Sequence, residues 1–384
     1  MPEQINTATE NVLYNDILNF DKNSNVLSEF KASDILDSNL IHWDVIKKTL
    51  QSAPAVFERP FFQLHIKKKD SFTTLQKANT IRFFATAYLH TKDVRYFNEF
   101  LWFATDDESS KTLMEICIDA FYKNINAEKI HFIDPSQSAD AQKLLLQNQS
   151  KPLNISPDHS KRICLVGNPV FFGKIYAELT KQGFHVEQFF IPYHPNKLIN
   201  FVASNPILIK TASVLAGNKY KYQTLNFAPK DDRIKEILDK GNFDIGFHKL
   251  NFIIRKNIID PFKIALLNDH WAMLPFLRGK STIAWSVLLG FPLVSTLHFT
   301  ETGIDSGPIA QFDLIDCNQA KKITDIRSFF RKTMPARVIN AINFVSSPQF
   351  CSIPNDAEKG YTYYEMHPWL VKHVEGNILP LKKL

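Results

Sequence analysis

The sequence predicts a doubly wound α/β domain with a mostly parallel sheet, preceded by a mainly α-helical domain. Three observations carry this reading. Apolar residues recur at helical spacing in three successive stretches between 79 and 121. A polar stretch with linker composition follows, broken by a short helical run from Ala141 to Leu146, and beyond it strand-like apolar runs alternate with helix-like ones in a βαβ pattern. At 384 residues and 45% hydrophobic content, the chain has material for two cores. The expected layout is a helical domain over 1–133, a linker over 134–160, a Rossmann-like domain over 161–312 and a helical or irregular extension over 313–384.

The amino-terminal part shows helix-like hints at Val12, Tyr14, Ile17 and Leu18, and Phe61 to Ile66 reads as a strand. The pattern then sharpens. Ile81, Phe84, Ala85, Tyr88 and Leu89 fall on one helical face, Thr91 to Asp93 makes a turn, and Val94, Phe97 and Leu101 restart the period. Leu113, Ile116, Cys117, Ala120 and Phe121 repeat it. The dense aromatics from Phe83 to Phe103 are read as the core of this domain and not as a ligand cage.

In the second half, Arg162 to Val166 is a strand, Gly167 to Pro169 a turn and Phe172 to Gln182 a helix closed by Gly183; His185 to Pro192 is the next strand. The first turn holds only Gly167, so the Gly-x-Gly-x-x-Gly fingerprint is not met and nicotinamide chemistry is set aside. Asp231 opens a capped helix, Phe243 to Phe247 is a strand, and Lys263 to Leu267 is the strand that ends at Asn268. Ser281 or Thr282 caps a helix that Gly290 stops, and Leu293 to Phe299 is the following strand. A final helix is expected around Ile326 to Val345, with Pro335 starting, breaking or kinking it. Pro348 to Pro354 reads as loop, and Tyr361 to Val374 as a short aromatic segment.

The net charge of +6 is dispersed, and the one tight run, Lys67 to Lys69, reads as a solvated face and not a nucleic-acid patch. A mild positive bias suits anionic small molecules. Cys117, Cys164, Cys317 and Cys351 lack Cys-x-x-Cys spacing, so neither a metal site nor a disulfide framework is expected. The start of the sequence lacks a basic n-region and an apolar h-region, and no window approaches a membrane span, so a cytoplasmic protein is the expectation.

The apolar run ending in Asn268 and His270 delivers two polar side chains at the carboxyl end of a buried strand, where open α/β sheets place ligands. Leu274, Pro275, Arg278 and Gly279 follow, then Thr296 and His298, then Gly303, Asp305 and Gly307. Asn-x-His, Leu-Pro-x-x-Arg-Gly, Thr-x-His and Asp-x-Gly at this spacing resemble the 10-formyltetrahydrofolate-dependent formyltransferases, over residues 160 to 312. That resemblance implies a formyltransferase fold and 10-formyltetrahydrofolate as donor, with no metal. It also implies a tetrahedral carbon bearing an oxyanion as the amine attacks. Asn268 and His270 would then donate N–H groups to that oxyanion, and Asp305 would orient the imidazole and steer protons. Within the same resemblance Asn251, Gly303 and Ile304 would contact the pterin, and Arg278 would contact substrate phosphate or pin its own turn. His298 is read as a structural histidine supporting the Asp305 turn.

Two departures stand out. Relatives tend to carry Gly-Val-Thr-x-His where this chain has Val294-Ser-Thr-Leu-His, and His248 and Lys249 are unexpected beside the pterin segment. Arg278 and Gly279 with Trp285 resemble the methionyl-tRNA and sugar branches, while the segment after 313 is shorter than the methionyl-tRNA branch's carboxyl-terminal β-barrel. The expected acceptor is therefore a small-molecule amine, the amino group of a nucleotide-linked sugar, with no DNA and no membrane as partners. Methionyl-tRNA, a natural-product amine and a non-catalytic binding module stay open. So does the helical extension, between forming a homodimer and docking a neighbouring enzyme.

Overall fold

The computed structural model describes residues 72–105, 107–126, 135–148, 156–193, 198, 200, 201, 204–215 and 222–377. The readings at 12–18 and 61–69 lie outside them. The chain divides into two compact units. The first comprises the described residues of Met1–Asp134 with His367–Leu370, the second those of Pro135–Met366 and Val371–Leu384.

The first unit is built from α1 (Thr74–Thr91), α2 (Val94–Ala104) and α3 (Lys111–Asn126). A capping box starts α1, with Gln76 N–H donating to Thr73 Oγ1 at 3.2 Å and Thr73 N–H to Gln76 Oε1 at 3.1 Å. Lys92 ends it in the left-handed region, and the Asp93 carboxylate caps α2. Each helix has an apolar face that only the others can cover. Phe83, Phe84, Tyr88, Phe97, Phe100 and Phe121 are fully buried between them, with Phe97 stacked 4.8 Å from Tyr88 and 4.9 Å from Phe121.

The second unit opens with α4 (Pro135–Asn148), inside the stretch read as linker. Its polar composition hides a buried edge at Ala141 and Leu145. Then follow β1 (Arg162–Gly167), α5 (Gly173–Lys181), β2 (His185–Phe190), α6 (Pro206–Leu215), β3 (Gln223–Thr224), α7 (Asp232–Gly241), β4 (Ile245–Lys249), α8 (Lys256–Ile259) and β5 (Ala265–His270). After them come β6 (Leu277–Gly279), α9 (Thr282–Leu289), β7 (Val294–Phe299), β8 (Ile309–Leu314), α10 (Ile323–Ser346), β9 (Tyr361–Tyr363) and α11 (Pro368–Asn377). The sheet runs β3-β2-β1-β4-β5-β7-β8, parallel from β3 through β5, with β7 antiparallel to both its neighbours. This is the doubly wound, mostly parallel α/β architecture the alternation predicts. A separate parallel pair joins β6 to β9.

Both sheet faces are covered, which is why the central strands read as continuous apolar runs. Ile163, Leu165, Phe247 and Leu267 pack with Ile175 and Leu179 of α5 and with Val338, Ile342 and Val345 of α10. Cys164, Val166 and Leu266 face Ile234 and Leu238 of α7 and Ile258 of α8. Helix α10 is thus a layer of this core and not an appendage to it. It continues through Pro335, because the buried side chains on either side, Phe330 and Met334 before and Val338 and Ile342 after, hold it across the missing backbone hydrogen bond.

Candidate active site

Three strands set one polar row across the sheet. In the ladder, Asn268 of β5 lies beside His248 of β4 on one side and His298 of β7 on the other. Alternation along β5 puts Leu266, Asn268 and His270 on the face that α7 and α8 cover, and turns Asp269 to the α10 face. Thr296, across from His270, donates its hydroxyl to Ala272 O at 2.6 Å and so fixes the loop after β5.

His298 Nδ1 donates to Phe299 O at 2.8 Å, and Asn268 Nδ2 donates to its Nε2 at 3.2 Å. His270 Nε2 donates to Leu277 O at 2.8 Å, and its Nδ1 lies 3.4 Å from Asp305 Oδ2. Asp305 Oδ1 is 3.6 Å from His298 Nε2, and Oδ2 accepts Gly279 N–H at 2.9 Å. One carboxylate therefore sits between two imidazoles, with a half-buried amide beside them.

The structure brings Asn268, His270 and Asp305 together, but with one departure from expectation. His270 Nε2 is taken up by Leu277 O and its Nδ1 faces Asp305, so the ring does not present a free N–H as Asn268's companion. His298, read from sequence as structural, touches both Asn268 and Asp305 and belongs to the same cluster.

Asp305 reaches this position through strained backbone, at φ 49. Asn355 holds the turn, donating Nδ2 to Asp305 O at 2.9 Å and to Gly307 O at 2.8 Å. Burial pushes the Asp305 carboxyl up, yet the imidazoles of His270 and His298 and the Gly279 N–H outweigh it and hold the group well below the usual carboxylate range. Burial lowers His270, against the pull of Asp305. The Asp305 carboxylate and His270 Nδ1 face each other, so a proton on Nδ1 is held by the carboxylate.

His248 is 4% exposed; its Nε2 meets Thr300 Oγ1 at 2.8 Å and its Nδ1 has no protein partner. Burial, then the neighbouring His298 and Lys249, pull its pKa from 6.5 to about 3. The folded state therefore refuses a proton that the unfolded chain takes up below about 6.5. Stability falls as pH drops from about 6.5 towards about 3, by up to about 1.4 kcal/mol per pH unit for this group. Thermal unfolding across that range should show the slope, and His248→Gln should flatten it.

Arg278 pins its own turn: Nη2 donates to Gly360 O at 2.9 Å. Trp285 Nε1 donates to Tyr364 O at 2.8 Å, and its ring lies 5.1 Å from Tyr363. Asn251 is exposed just beyond β4, and Gly303 and Ile304 are exposed in the turn that leads to Asp305. Asn355, Gly360 and Tyr363 are the contributors the sequence did not flag, and their only local sign is a loop-forming Pro-Asn-Asp stretch followed by Gly-Tyr. Among the described residues, no group of three or more His, Cys, Asp or Glu is disposed to hold a metal ion. None of the described helices is long and apolar enough to cross a membrane.

Over 87 residues the chain is 36% identical to the methionyl-tRNA formyltransferase of Finegoldia magna. The likeness is to formyltransferases. The matched stretch takes in 22% of this chain and spans only 28% of the curated relative's length, so most of both proteins lies outside the match. No family model matches the chain. Solved formyltransferases resemble it at low identity. A 4-N formyltransferase from Francisella tularensis is 16% identical with a TM-score of 0.41, covering 54% of this chain and 77% of that one. Glycinamide ribonucleotide transformylase 1 from Symbiobacterium toebii is 17% identical with a TM-score of 0.39, covering 54% and 99%. A sugar N-formyltransferase from a Shewanella species is 13% identical with a TM-score of 0.40, covering 53% and 76%.

Proposed function

We propose that this protein is an enzyme that transfers a formyl group from 10-formyltetrahydrofolate to a primary amine, the amino group of a nucleotide-linked amino-deoxy sugar. The observation that carries the reading is the Asp305 carboxylate held between His270 and His298, with the Asn268 amide next to it. The bound folate supplies the formyl carbon. Asn268 Nδ2 donates to the oxygen on which negative charge develops, leaving its bond to His298 to do so. His270 Nδ1 takes the proton that the attacking amine gives up, with Asp305 stabilising the imidazolium, and returns it to N10 of the folate as the bond from N10 to the formyl carbon breaks and tetrahydrofolate leaves. The Leu277 carbonyl keeps the ring aimed throughout.

The loops around the cluster suit a flat heteroaromatic ring. Tyr193, beyond β2, and Phe252, beyond β4, meet edge to face at 5.4 Å, and Ile254 packs on the same cluster. Asn251 lies next to Phe252, and the exposed Gly303 and Ile304 adjoin Asp305, which is why we place the pterin between those two loops. Arg278, held at Gly360, offers positive charge near the turn to an acceptor phosphate. A second reading, formylation of methionyl-tRNA, is favoured by the 36% identical stretch.

The purified protein should release tetrahydrofolate when given 10-formyltetrahydrofolate with a dTDP- or GDP-linked amino sugar. Release with methionyl-tRNA alone would move the assignment to the second reading. Folate binding without release on any acceptor in the panel would turn the site into a binding module.

A further inference from the structure

Asp269 lies between the two polar residues of β5 and points the other way. Its side chain is 0% exposed and ion-paired with Arg337 of α10, whose Nη2 donates to Oδ2 at 2.8 Å. Trp271 Nε1 donates to the same oxygen at 2.8 Å, and the Ser295 hydroxyl donates to Oδ1. The backbone carbonyl of Asp269 is held as well, by Lys249 Nζ at 3.3 Å, the ammonium lying 4.6 Å from the centre of the Trp271 ring. Arg337 is itself fixed, since Nη1 donates to Phe330 O at 3.1 Å and to the Thr333 hydroxyl.

A buried ion pair is a poor source of net stability, because an apolar pair of similar volume would hold α10 to the sheet as well or better. What it adds is direction. The Asp269 carboxylate is anchored from β7, from the loop after β5 and from α10, and the next carbonyl is anchored from β4. Together these fix the peptide plane from which the His270 side chain departs, and the strand twist that aims Asn268 one residue earlier. We propose that Asp269 and Arg337 are positioning residues: they set the geometry of Asn268 and His270 from the opposite face of the sheet, and through it the turnover rate. This rests on the transfer reaction proposed above.

The test uses the full chain with Asp269→Asn combined with Arg337→Gln, which removes both charges and keeps hydrogen-bonding groups of similar length, and separately Arg337→Lys, which keeps the charge and loses the fork. Misplacing reacting groups by about 1 Å costs on the order of a hundredfold in rate. We expect kcat to fall about 10- to 100-fold in the double variant and about tenfold in Arg337→Lys, with the Kd and KM for the folate within about twofold of wild type. The 15N signals of the His270 ring and the Asn268 side-chain amide should also move in the unliganded variants. A folded variant with kcat within about twofold of wild type and those signals unmoved would overturn the inference. If the double variant does not fold, Arg337→Lys carries the same two readouts. If the wild-type protein turns over no acceptor, the proposed reaction fails on its own, and the nitrogen signals still decide whether Asp269 and Arg337 aim the cluster.

Discussion

Replacing Asn268 with alanine should lower the rate of the proposed formyl transfer by about two to three orders of magnitude, while folate binding and the unfolding temperature stay close to wild type. The loss falls on kcat and not on KM, because the amide bond to the developing negative charge exists only as that charge forms. Folding is spared because Asn268 is half-buried at a strand end, and among the described residues its side chain bonds to His298. His298 keeps its Nδ1 bond to Phe299 O in the variant. Single-turnover measurement with saturating folate isolates the chemical step. A variant that transfers at the wild-type rate would remove Asn268 from the mechanism and leave the Asp305 and His270 pair to be explained in another way.

Gly279→Ala unfolds the site without touching any of the polar side chains. Gly279 has φ 97, a conformation costly for any side chain, and a Cβ built on it would lie 2.1 Å from Tyr363 O. The obstacle is backbone, so no rotamer change relieves it, and the β6–β9 pair must separate. That pair carries Lys280 N–H to Tyr363 O at 2.8 Å, and Gly279 N–H is also the donor that holds Asp305 at 2.9 Å. We expect a loss of about 2–4 kcal/mol, from the left-handed conformation and the overpacking together. Urea or thermal unfolding followed by far-UV circular dichroism measures it, and a change below about 1 kcal/mol would mean that the β6–β9 contact is far softer than its geometry indicates.

Much of the architecture was legible because its causes are local. Alternating apolar runs gave the parallel strands, and helical spacing gave α1 to α3, since each pattern reflects which face of one element meets a core. Asn268 and His270 stood out because an apolar strand ending in two polar residues needs a reason. The parts that escaped are held together over long sequence distances. Arg337 pairs with Asp269 across 68 positions and Arg278 reaches Gly360 across 82, and neither contact leaves a periodic trace. Asp269 itself looked like a spacer between Asn268 and His270, because sequence alternation tells which face a residue takes but not what waits there. Helix α4 was legible only as the short run from Ala141 to Leu146 because its first turns are polar, and Pro335 neither starts nor breaks α10 because buried side chains flank it.

The clasp on the Asp305 turn has a consequence for how the protein is made. Asp305 is held by Asn355, 50 residues further along the chain. A ribosome adding about 5–20 residues per second needs roughly three to ten seconds to cover that interval. Throughout it Asn268, His270, His298 and Asp305 have all been synthesised, and the turn that joins them lacks its fastener. A nascent chain arrested in that window would carry every polar residue of the cluster with the Asp305 turn still unfastened by Asn355.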